Sequence, residues 1–220
     1  MRKTMLAAAA AVLVAAGAAG QARAQQMRDD MHGAAMSPPA MSAADLRVAL
    51  NNLLAEHVQL GSAATSAALG GRTAEFQAAA AALDQNSVAL SKAIGLVYGA
   101  DAESAFLALW RRHIGFVVDY TQGVAAKDRA KADKALQDLT GYARDFAAFL
   151  SSANPNLPAP VVAELVRTHA GGFKAIIDAQ ARGDETGAYR ALHDAVAHMQ
   201  AIADPLAAGI AKQFPKRFAM

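Results

Sequence analysis

The chain has 220 residues, of which 54% are hydrophobic, 6% aromatic and 18% charged, and it contains no cysteine. That length and apolar content suit one folded domain with its own core rather than a disordered chain. Without cysteine there is no disulfide framework, zinc–thiolate site, iron–sulfur cluster, covalent c-type haem or thiol nucleophile.

Residues 1–24 read MRKTMLAAAAAVLVAAGAAGQARA. Arg2 and Lys3 precede an apolar run, and Ala22-Arg23-Ala24 places small residues at the −3 and −1 positions before Gln25. This is the pattern of a cleaved secretory signal. The run is short and Ala-rich for a membrane anchor. Cleavage removes Arg2, Lys3 and Arg23 and no acid, taking the formal net charge from +2 to −1. The basic balance thus belongs to the precursor, and the mature protein has no positive excess with which to hold a nucleic acid. No later stretch is long and apolar enough to span a bilayer. The expected location is the periplasm, or outside the cell.

Residues 25–42 carry Gly33, Pro38 and Pro39 and show no periodicity, so they read as a flexible arm. Met27, Met31, His32, Met36 and Met41 fall within it. Thioethers are soft donors that favour Cu(I), and imidazole also serves Cu(II). In composition the arm resembles the Met/His-rich segments of periplasmic copper-handling proteins.

From Ser42, a suitable N-cap, apolar residues recur at three- and four-residue steps to the end, and no run alternates with period two. Breaks at Gly70-Gly71, Tyr98-Gly99, Lys127-Asp128, 154–156 and Gly183-Asp184 divide 43–220 into six helices, roughly 43–69, 73–98, 102–126, 130–152, 159–182 and 185–212. Short connections make neighbours antiparallel. The expectation is an all-α six-helix bundle.

The chain also aligns with itself at a lag of 56 residues. His57, His113 and His169 match, as do Leu50, Phe106 and Val162, then Leu90, Phe146 and Ile202, and the turn positions Gly71, Lys127 and Gly183. This reads as three copies of one helical hairpin. Residues equidistant from a hairpin turn share a level. His57, Asn86, His113, Tyr142, His169 and His198 are therefore expected in one cross-section, each on or beside an apolar stripe.

A buried imidazole is hydrogen-bonded, charge-paired or metal-bound. Four histidines at one level point to a metal, and imidazole suits Cu, Zn, Ni or Fe. A b-type haem held by two His, or by His and Met, is the other group such a layer would take. The paired Glu-x-x-His motifs of di-metal bundles are absent, since Glu56 directly precedes His57 and faces elsewhere. So are His-Glu-x-x-His, a Gly-rich phosphate loop and a Gly-x-Ser-x-Gly elbow. No nucleophile, base and orienter come together, so the sequence favours a binding protein over an enzyme. Trp110 and Tyr120 read as core packing, and His193 as a surface residue.

The sequence therefore points to an exported, metal-binding helical protein that handles copper. The arm residues Met27, Met31, His32, Met36 and Met41 capture the ion, and His57, His113, His169 and His198 hold it in the core. The rival is a metal-free interaction or chaperone-like module meeting another envelope protein, in which the histidine layer only sets helix register.

Overall fold

The structure, a computed structural model, describes residues 41–218. The signal segment and the arm residues Met27, Met31, His32 and Met36 lie outside the described residues. Met41, at their edge, is exposed.

Six helices follow in order: α1 (Ala43–Leu69), α2 (Thr73–Tyr98), α3 (Ala100–Ala126), α4 (Arg129–Ala153), α5 (Ala159–Ala181) and α6 (Glu185–Gln213). Among the described residues there is no strand. Each helix starts or stops for a local reason. Ser42 caps α1 with a full capping box: its hydroxyl accepts from the Asp45 N–H, and the Asp45 carboxylate accepts from the Ser42 N–H. Asp128 and Asp184 cap α4 and α6 by accepting from the Lys131 and Gly187 N–H groups. The three hairpin turns pass through left-handed backbone at Gly71 (φ 69°), Lys127 (φ 56°) and Gly183 (φ 69°). Glycine suits two of these positions, and Lys127 carries the steric cost of a side chain in the third.

Each helix packs against its chain neighbours, and α1 closes the ring by packing against α6. The helices are not equivalent. The odd-numbered helices α1, α3 and α5 also touch one another across the centre. Two features let α1 and α5 approach closely. Gly61 faces Phe173, so that a Cβ on Gly61 would stand 2.8 Å from the ring. Thr65 donates to Gln180 Oε1 (2.8 Å), and Gln180 Nε2 donates to the Ser62 carbonyl (3.1 Å). Tyr120 ties α3 to α5 by donating to Asp178 Oδ1 at 2.7 Å. The core is one continuous cluster running the length of the bundle, from Leu46, Leu50 and Leu54 on α1 to Leu206 and Ile210 on α6. No helix among the described residues is long and apolar enough to cross a membrane.

Candidate metal centre

Each inner helix contributes one histidine at its middle. His57 (α1), His113 (α3) and His169 (α5) meet at the centre of the bundle, with one ring nitrogen from each lying within 4.8 Å of the other two. His57 and His113 are buried, while His169 is partly buried. The Nε2 atoms of His57 and His113 are 3.4 Å apart. That is long for a hydrogen bond. It matches two nitrogens sharing one ion at about 2.0–2.1 Å, which subtend an angle of roughly 110°. An inward movement of about 1 Å brings the third nitrogen to the same centre.

The electrostatics suit the ligating form. Burial lowers the pKa of all three rings, and repulsion from neighbouring histidines lowers it further: His113 and His169 act on His57, His169 on His113, and His198 on His169. His57 falls well below the ordinary histidine value, His113 falls to about 3 against a small opposing pull from the Trp110 backbone, and His169 falls to about 4. All three are therefore neutral at pH 7, with a lone pair free for an ion. The metal-binding group consists of histidines alone, with no carboxylate in it.

Aromatic side chains hold the rings. Trp110 stands edge-on to His113 (centroids 4.7 Å, 79°) and 5.0 Å from His57, and Tyr142 stacks on His113 at 4.9 Å. The sequence assigns Trp110 to packing alone. The structure places it against two of the three candidate ligands, one turn before His113. Histidine ligands usually pass their second N–H to a carbonyl or carboxylate. Here the Nδ1 atoms of His57, His113 and His169 are buried without a hydrogen-bond partner, as are Trp110 Nε1 and Tyr142 Oη. Such orphaned atoms are uncommon in folded proteins and mark places where an ion, water or ligand completes the structure.

The six-member layer divides into an inner and an outer ring. His198, on α6, puts Nε2 3.0 Å from the Leu165 carbonyl, so it stands outside the triad. Asn86, on α2, does the equivalent at α1: its Nδ2 donates to the Leu53 carbonyl at 2.9 Å and to Glu56 at 2.7 Å. Leu53 and Leu165 each lie four residues before the triad histidine of their helix. The outer ring therefore satisfies backbone carbonyls of the inner helices, and Tyr142, third in the series, instead stacks on His113. His193 is exposed.

Next to the triad lies an apolar cavity of about 90 Å³. It reaches from His169, Trp110, Tyr142 and Met199 to Pro158 and Val161 at the end of the bundle. Met199 is buried and lines this cavity, whereas its neighbour His198 does not. No protein-family model, no curated protein and no solved structure matches the chain.

Proposed function

We propose that the protein binds a single copper ion, as Cu(I), between His57, His113 and His169. The observation that carries this is the convergence of three neutral imidazoles, two buried and one partly buried, from three helices, with no acidic group among them. The cost of burying an ion rises with the square of its charge. A site that supplies no anion leaves the least uncompensated charge when the ion is monovalent. Cu(I) also accepts three-coordination by imidazole and is soft enough to exchange with thioethers. The cavity supports an ion over a haem, because 90 Å³ is far below the several hundred that a macrocycle needs.

On this proposal the 56-residue repeat is the device that builds the site, with one histidine per hairpin brought to a common axis. The segment 1–24 directs export to the periplasm. Met27, Met31, His32, Met36 and Met41 form a capture arm that passes Cu(I) to the core. His198 supports helix α5 and does not ligate.

The test is thermal. An ion that binds only the folded state at a hundred times its Kd adds about 2.7 kcal/mol. For a domain of this size that raises Tm by about 5–10 °C. Cu(I) added anaerobically should produce this rise in the wild type and not in His57→Ala, His113→Ala or His169→Ala. An unchanged Tm in the wild type would instead favour the metal-free interaction module.

A further inference from the structure

His169 belongs both to the triad and to the wall of the apolar cavity, so the cavity reaches one of the three candidate ligands. The cavity is bounded by side chains from all six helices. Leu50, Leu90, Phe146, Val162 and Met199 are among the buried ones. Its outer end is formed by Pro158, Val161 and Pro205, all exposed, so the cavity reaches the surface where α5 begins. Pro205 lies inside α6 at this end. Lacking an N–H, it leaves the Ala201 carbonyl without its helical partner. From Val161 to His169 the path along α5 is about 12 Å.

Size and polarity select what fits. A cavity of 90 Å³ holds more than one water-sized molecule but is smaller than the roughly 150 Å³ that accepts benzene. Apolar walls of this kind stay dry and disfavour ions. We infer that the cavity is the entry path and resting place for a small uncharged diatomic molecule, of the class of carbon monoxide, nitric oxide and dioxygen, which binds the triad's ion from the His169 side. This rests on the metal reading above. Three histidines leave a fourth position for such a ligand. Aqueous anions are kept from it by the same walls.

The experiment has two arms. In the metal-free protein, ¹²⁹Xe NMR should show saturable xenon binding that is lost in Val162→Phe, a substitution about 10 Å from the triad. In the Cu(I)-loaded protein, carbon monoxide should give an infrared C–O stretch of bound ligand. In Val162→Phe its binding rate should fall about tenfold or more with copper content unchanged, because a filled path leaves only packing fluctuations for entry. Leu165→Phe, one turn closer to His169 along α5, serves if the first variant does not fold. Copper retained with no carbon monoxide band, or with equal rates in the wild type and the filled variants, would overturn the inference alone. Xenon bound but no copper retained would remove the metal reading, and this inference with it.

Discussion

Acid should unfold the metal-free protein through its histidine triad. In the unfolded chain each histidine titrates near 6.5. In the folded protein burial holds His113 at about 3 and His169 at about 4. Between these limits the unfolded chain binds protons that the folded protein refuses, so stability rises with pH and falls on acidification. Going from pH 7 to pH 5, His113 and His169 each cost about 2 kcal/mol, or about 4 together. His57, lowered by the same cause, acts in the same direction. Three carboxylates leave this window clear. Asp45, Glu75 and Asp84 are held below the ordinary carboxylate range, first of all by hydrogen bonds to Ser42, Arg72 and Arg111, and remain ionised at pH 5. Urea denaturation at the two pH values reads the effect directly. With a slope of about 2 kcal/mol per M, the midpoint should drop by about 2 M. In His113→Gln the drop should shrink by about 1 M, because the proton that His113 refuses is gone. Equal midpoints at pH 7 and pH 5 in the wild type would refute the claim that these rings are desolvated and neutral.

Other expected outcomes follow from the same structure. Lys127→Gly should stabilise by about 1 kcal/mol, raising Tm by about 2–4 °C, because it relieves a left-handed side chain at an exposed turn; an unchanged or lower Tm would argue against that backbone. Gly61→Ala should destabilise by about 1–3 kcal/mol in urea, since the new Cβ meets the Phe173 ring between the two inner helices. Cu(I) binding should quench the fluorescence of Trp110, the only tryptophan, which lies against His57 and His113; emission indifferent to Cu(I) would place the ion elsewhere. A chain beginning at Ser42 should keep one tightly held copper per protein, and loss of all copper with the arm would make the arm the site.

Much of the architecture is legible in the residues. The three- and four-residue apolar periodicity and the breaks at Gly71, Lys127 and Gly183 place the six helices within two residues of their observed ends. The meeting of His57, His113 and His169 follows from their equal spacing in three hairpins. Which helices stand inside does not follow, because an apolar stripe shows that a helix is buried on one face and not what it faces. His198 illustrates this. It shares the level of the triad, but α6 is an outer helix, and its nearest polar partner is the Leu165 carbonyl. Trp110 was hidden for a different reason, since a large aromatic side chain in a helix is consistent with plain core. Its contact with the His57 ring exists only once α1 and α3 are packed. The cavity is a volume that six side-chain sets fail to fill, and no single segment encodes it.

The most direct test of the central claim is X-ray absorption at the copper edge on anaerobically Cu(I)-loaded protein. The expected first shell is three nitrogen neighbours at about 2.0 Å, with the outer-sphere scattering of imidazole rings. His113→Ala should reduce or abolish that shell. A first shell of sulfur at about 2.3 Å would put the ion on methionines, and would contradict a site built from His57, His113 and His169.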